Sequence, residues 1–298
     1  MAQNKCCRHG ASLRRRRRRR RKILRSIIFS CSIIAVAVFV AVGSRMITSG
    51  DGGTNKYDVE AGNNTYDNAV IENSKISEKN KIQNNQSMLD DIMNSTQYPK
   101  QLKELALKNE EALEFVYDYP AEHVKEHTID LTEEASMDSV PLFVQWDKRW
   151  GYEKYSGNFF AASGCGPTTL SMVVVYLTHN RDASPLAVAK YSKEAGYSVD
   201  GSGSSWTLIS EGCRHYGIKA KTVALDESRM KAELDAGHPI VINVGPGDFT
   251  DTGHFMVITG YDDEGFSIND PNSIEKSGKR WLFKNISSQI RAVWSMYV

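Results

Sequence analysis

Eighteen consecutive residues without a charge, Ser26 to Gly43, follow an unbroken run of eight arginines, Arg14 to Arg21, with Lys22 and Arg25 between the two. At 1.5 Å per residue such a stretch spans roughly 27 Å as a helix, and neighbouring residues extend it towards the roughly 30 Å of a hydrocarbon core. A single transmembrane helix over 26–45 is expected, with a basic head at 1–25 held in the cytoplasm and everything beyond it outside the cell. A cleaved signal peptide has a similar layout, with Ala41-Val42-Gly43 as a possible cut, but its apolar core usually runs only to roughly 7–15 residues. Either reading exports the remainder.

The two charge signs sit in different places. Residues 1–45 carry 13 Lys+Arg and no acid, whereas residues 46–298 carry 24 Lys+Arg against 36 Asp+Glu. An acidic body of this kind argues against nucleic acid as a partner. The hydrophobic fraction of 41% over the whole chain is enough for a core. Of five cysteines, Cys6, Cys7 and Cys31 lie in the head and the apolar run. Cys165 and Cys213 remain, and the sequence leaves open whether they pair. No CxxC and no Cys/His cluster at zinc spacing occurs, so neither a metal nor a cofactor is expected.

Residues 46–97 are polar and rich in Asn, Ser, Lys and Gly. Such a segment buries too little apolar surface to offset its ordering entropy, and a disordered stalk is expected there. Residues 98–139 read as a short helical segment. Pro99 suits a first helical turn, and Leu102, Leu105 and Ala106 share one face. A second short helix is expected from about Glu110 to Tyr117, ended by Pro120. The remaining domain, 140–298, holds the chemistry.

Within it, Ser163-Gly164-Cys165-Gly166-Pro167-Thr168-Thr169 leads into apolar residues at 170, 173, 174 and 177. That spacing predicts a helix opening at or just after Cys165, with Pro167 tolerated in its first turn. The positive end of a helix stabilises a thiolate. Gly164 and Gly166 leave room for a substrate backbone and free local amides to face an oxyanion. A lone Cys is more often a small buried hydrophobe, so the reading requires a partner base.

Six of the seven histidines lie in polar sequence or near element ends. His254 follows Gly253 and opens Phe255-Met256-Val257-Ile258-Thr259, an apolar run that reads as a buried strand. A turn at Asp262-Asp263-Glu264-Gly265 and a return strand Phe266-Ser267-Ile268-Asn269 complete a hairpin, and Asp270-Pro271 follows. The fold-back sets Asp270 within a few residues of direct register with His254. Asp270 also shares a face with Phe266 and Ile268, so it points inward. A carboxylate beside an imidazole fixes its tautomer and supports its charged form.

The order Cys…His…Asp, with Gly-Cys-Gly-Pro-Thr on a helix and Gly-His-Phe…Asn-Asp-Pro on a hairpin, resembles the C39-like peptidases of the papain-type superfamily, over roughly Pro141 to the C-terminus. The resemblance implies an α+β papain-like fold, in which a helical lobe carrying the cysteine helix packs on an antiparallel sheet. It implies Cys165 as nucleophile, His254 as general base and acid, Asp270 as its orienting group, and Gln145 as an oxyanion donor. No Walker-type glycine loop is present, unlike in transporter-fused members that cleave double-glycine leaders.

Gly164, Gly166, Gly253 and Trp206 are the candidate substrate-binding residues. Gly201 to Trp206 reads as a loop leading into a helix, with Cys213 on the helix's apolar side as core. The function expected is an extracytoplasmic, membrane-anchored cysteine hydrolase acting on peptide or isopeptide bonds. Its partners would be the membrane and a peptide or protein substrate. Alternatives are a peptidoglycan amidase or endopeptidase acting on cell-wall peptide, and a surface binding module without turnover.

Overall fold

The apolar helix expected after Pro167 is the hub of the fold. The structure, a computed structural model, describes residues 64–298, with side chains from residue 77 onward. The head at 1–25, the apolar segment at 26–45 and the first part of the stalk lie outside the described residues. Among the described residues no helix is long and apolar enough to cross a membrane. The chain divides into two units, Met1–Asp67 and Asn68–Val298, and the features that follow belong to the second apart from the start of the helix that opens at Asn64.

Five helices need labels: α1 (Asn64–Asn94), α2 (Lys100–Lys108), α3 (Leu113–Tyr117), α4 (Cys165–Thr178) and α5 (Pro185–Glu194). A sixth, α6 (Glu227–Asp235), lies among the strands. The strands are β1 (Lys219–Thr222), β2 (Ile240–Val244), β3 (His254–Asp262), β4 (Gly265–Asn269), β5 (Arg280–Trp281) and β6 (Ile290–Tyr297). They form one sheet in the order β1-β6-β2-β3-β4-β5. Every neighbouring pair is antiparallel.

Alternation along the central strands sorts side chains onto two faces. Val241, Phe255, Val257, Trp294 and Met296 join Leu170, Val173 and Val174 of α4 in one core. Ile240, Ile242, Val244, Met256 and Ile258 face the other way and meet Met230 of α6 and Ile286. Because both faces are covered, β2 is buried along its whole length, which explains a run that is apolar except at Asn243. Helix α4 is buried from Gly166 to Val175, as expected of a helix apolar all round. It ends at His179, which takes the left-handed conformation at φ 53° and bonds the Ala135 carbonyl through Nδ1 at 2.8 Å.

One expectation about the N-terminal region needs correction. Where the structure describes it, the segment expected as disordered stalk is helical from Asn64 to Asn94. It contains neither Gly nor Pro over that span, and its last turns present Met88, Leu89 and Ile92 at helical spacing. These dock on Leu102, Leu105, Leu113 and Val116, and Ile92 is fully buried. Averaging composition over 46–97 hides this one stripe. The second short helix ends at Tyr117 as expected, and Pro120 sits inside a further turn, Tyr119–Glu122, where its missing N–H leaves no helical bond unmade. The predicted face of α2 holds, with Leu102, Leu105 and Ala106 all buried. Phe159 and Ala161 also join that cluster, so the helices at 100–122 are packed onto the segment that leads to Cys165.

Candidate active site

Cys165 is the first residue of α4, with Gly164 as its N-cap. The Thr168 N–H closes the first turn onto the Gly164 carbonyl at 3.0 Å. At this position the Cys165 N–H has no carbonyl within the helix to bond. The thiol is half-buried and lies close enough to His254 and to the backbone N–H groups of Phe255 and Gly166 for all three to favour its ionised form. Burial alone would raise its pKa. His254 and its charge, together with the two amides, outweigh burial, and the thiol is held below its ordinary range.

The base comes from the strand edge. His254 opens β3, and its backbone faces Val244 of β2. Asn243, buried on β2, donates its side-chain amide to the His254 carbonyl at 3.2 Å, fixing the strand where the ring begins. The ring is buried, and its Nε2 lies 2.6 Å from Asp270 Oδ1, which leaves Nδ1 for the thiol. Burial disfavours the imidazolium, but the Asp270 carboxylate and then the Cys165 sulfur push the His254 pKa up to about 10. The lowered thiol and the raised imidazole are shifted in the direction that favours the charged form of both partners.

Asp270 has no exposed surface. Besides His254, its Oδ1 accepts the Asn272 N–H at 2.8 Å, and its own N–H donates to Ser277 Oγ at 2.9 Å. Its Oδ2 is buried without a hydrogen-bond partner among the described residues. The turn after β4 therefore closes around the carboxylate.

Gln145 is buried and lies between two parts of this arrangement. Its backbone N–H donates to the Pro271 carbonyl at 2.7 Å, beside Asp270. Its side-chain Nε2 donates to the Ala161 carbonyl at 2.8 Å, four residues before the cysteine. The Oε1 atom has no partner among the described residues.

The candidate substrate-binding residues separate. Gly253 is exposed next to His254. Trp206 is half-exposed and stacks edge-on against Trp294 with ring centroids 6.0 Å apart. Trp294 in turn lies 6.4 Å from Phe255. Gly164 and Gly166 are both buried, and close packing requires them to lack a side chain. A Cβ on Gly164 would lie 2.5 Å from the Phe160 ring, and one on Gly166 would lie 2.5 Å from Ser204 Oγ. Ser204 is itself held by Tyr155, whose hydroxyl bonds Ser204 Oγ at 2.6 Å and Ser192 Oγ at 2.8 Å.

Cys213 is free and fully buried, as expected for a core residue. Burial pushes its thiol up to about 11. Cys165 is likewise free, so the two do not pair. Among the described residues no group of three His, Cys, Asp or Glu is placed to hold a metal ion.

Sequence reasoning missed the Phe255 amide at the sulfur, although the residue after a strand-opening His is well placed to supply it. It also missed the Tyr155–Ser204 support and the shell of Asn272 and Ser277 around Asp270. Ser273-x-x-Lys276 and Ser277, immediately after Asn-Asp-Pro, are a turn signal that would have suggested the last of these.

A family model described as the Peptidase_C39 like family matches residues 137–298, more than half of the chain. No curated protein matches. Among solved structures, a putative C39-like peptidase from Bacillus anthracis is 17% identical, covering 53% of this chain and 95% of its own, with a TM-score of 0.34. The peptidase domain of ComA from Streptococcus, described as a bifunctional ABC transporter involved in quorum sensing, is 20% identical, covering 45% and 90%, with a TM-score of 0.36. On the match of its C-terminal 162 residues, 137–298, the chain belongs to the Peptidase_C39 like family.

Proposed function

We propose that this protein is a cysteine peptidase that hydrolyses peptide amide bonds through Cys165, His254 and Asp270. The observation that carries the proposal is one buried imidazole bonded to Asp270 at 2.6 Å beside a thiol at the start of a helix. Family membership supports the same reading.

The Cys165 thiolate attacks the carbonyl carbon, and the carbonyl π electrons move onto oxygen. The Cys165 N–H stands at the helix start to receive that oxyanion. Gln145 supplies the second donor, since a side-chain amide has two N–H bonds and Ala161 takes only one. His254 gives its Nδ1 proton to the departing amine nitrogen, leaving a thioester on Cys165. A water then attacks the thioester carbonyl, His254 removes its proton, and the acid is released as the thiol–imidazole pair re-forms. Asp270 keeps the ring in the orientation that serves both steps.

We also propose that residues 26–45 anchor the enzyme in a membrane with the peptidase domain outside, on the strength of the arginine run and the uncharged segment after it. The test of activity is a peptide library run in parallel with isolated cell walls. Cleavage of peptides by the wild type and its loss in Cys165→Ala support the peptidase reading. Release of wall fragments without peptide cleavage would move the substrate to peptidoglycan, and equal turnover by Cys165→Ala would remove the mechanism.

A further inference from the structure

The turn that carries Asp270 is gripped from outside the family-matched region. Glu111 belongs to the short 3₁₀ turn Glu110–Ala112 between α2 and α3, ahead of residue 137 where the match begins. Its carboxylate accepts the Ser273 hydroxyl, the Ile274 N–H at 2.7 Å and the Glu275 N–H at 3.0 Å. Its neighbour Asn109 donates to the Asn272 carbonyl at 2.9 Å and to Asn272 Oδ1 at 3.1 Å. Asn109 also caps Glu111's own turn, accepting the Glu111 N–H at 3.0 Å.

These contacts reach the carboxylate through short chains of bonds. The Asn272 N–H donates to Asp270 Oδ1. The Ser273 N–H donates to the Asp270 carbonyl at 3.2 Å. Ser277, which accepts the Asp270 N–H, donates to the Ser273 carbonyl at 2.7 Å. Residues 270–277 therefore have two supports. One is internal, and the other is a pair of polar side chains from a different part of the chain. A carboxylate accepting two N–H bonds and one O–H bond is a strong, directional clamp, because charge-assisted bonds are roughly twice as strong as neutral ones.

We propose that Glu111, with Asn109, is a positioning residue for Asp270, so that the helical segment ahead of the family domain is a working part of the site. This rests on the Cys165–His254–Asp270 reading above. Neither residue touches sulfur or substrate; they act by holding the turn from which Asp270 meets His254. With the clamp removed, Asp270 Oδ1 is no longer held at bonding distance, and the charged imidazole loses support. The thiolate that depends on the imidazole is lost with it.

The test is the pH dependence of Cys165 alkylation by iodoacetamide in the full chain, with the site of modification read by mass spectrometry. Glu111→Ala should move the midpoint of the thiolate titration upward by about one unit, lowering the rate below that midpoint about tenfold. The rate at high pH, where the thiol ionises unaided, should be unchanged. Glu111→Gln keeps one acceptor oxygen and should fall between the two. If Glu111→Ala does not fold, Asn109→Ala and Glu111→Gln must show upward shifts of the same sign. A wild-type midpoint below the ordinary thiol range, with no shift in any folded variant, would overturn the positioning role and leave the triad reading intact. A wild-type midpoint at the ordinary thiol value would overturn both.

Discussion

Continuing the hairpin register of Val257 opposite Asn269 sets Asp270 beside Met256, two positions from His254, yet its Oδ1 reaches His254 Nε2 at 2.6 Å. The offset is possible because β4 stops at Asn269 and the chain turns there, freeing Asp270 from the ladder. The consequence is a buried charge pair of the kind that is strongly destabilised when one partner is removed, because the other is left uncompensated.

Asp270→Asn should therefore separate orientation from charge. The amide still bonds Nε2 but no longer supports the imidazolium. The His254 pKa should fall from about 10 towards its ordinary value, moving the alkaline limb of the rate profile to lower pH. The Cys165 titration should move to higher pH, so the active window narrows from both sides. Peptidase activity at neutral pH should drop by a factor on the order of 10²–10⁴, the usual scale for general acid–base catalysis. A variant with an unshifted alkaline limb would show that Asp270 has no electrostatic role.

Gln145→Ala should slow turnover by a factor on the order of 10²–10³, as expected for loss of one oxyanion donor. It should leave the Cys165 titration where it is, because no part of the Gln145 side chain bonds Cys165 or His254. Steady-state rates together with thiol alkylation check this. Full activity in a folded Gln145→Ala protein would take the residue out of the oxyanion site.

Gly166→Ala should destabilise the fold by about 1–3 kcal/mol, since overpacking a close-packed interior has that typical cost. The added Cβ meets Ser204 Oγ at 2.5 Å, and Ser204 cannot retreat without breaking its bond to Tyr155. Combining it with Ser204→Gly removes the obstructing atoms and should recover part of the loss. Urea unfolding of both proteins measures the effect, and a Gly166→Ala protein as stable as wild type would mean that the wall behind Cys165 is soft.

Glu233 gives a pH dependence of stability instead of rate. Bonds from Lys221 and Ser295, with a further one from His238, lower its carboxyl to about 2 and tie α6 to β1 and β6. A depressed carboxylate contributes stability that is fully present above the unfolded value, near 4.5, and is lost as pH falls through the folded value near 2. Glu233→Gln should therefore be less stable than wild type at neutral pH, with the difference shrinking below about pH 4. Thermal melts at several acidic pH values check the sign; a gap that persists unchanged at low pH would contradict it.

Much of the site was legible because its signals are local. Cys165 could be placed on a helix start from the periodicity beyond Pro167. His254 and Asp270 could be brought together because a hairpin is a short-range fold-back with a readable turn. The sequence misled where a side chain's surroundings come from afar. The packing of Gly166 against Ser204, 38 positions later, has no local signal. The three residues that dock α1 are lost in a polar segment because helix docking needs only one stripe at one end. The Glu111 clamp had no local signature, since Glu at the first turn of a helical segment is commonplace and its partners lie about 160 residues away.

The most direct measurement is the rate of iodoacetamide modification across pH, with the buried Cys213 peptide as internal reference and His254→Ala beside the wild type. The account predicts that wild-type Cys165 reacts as a thiolate well below the ordinary thiol range. It predicts that Cys213, held near 11 and enclosed, stays unmodified in the folded protein, and that His254→Ala returns Cys165 to ordinary thiol behaviour. Wild-type Cys165 titrating like a free cysteine, or an unchanged profile in His254→Ala, would contradict it.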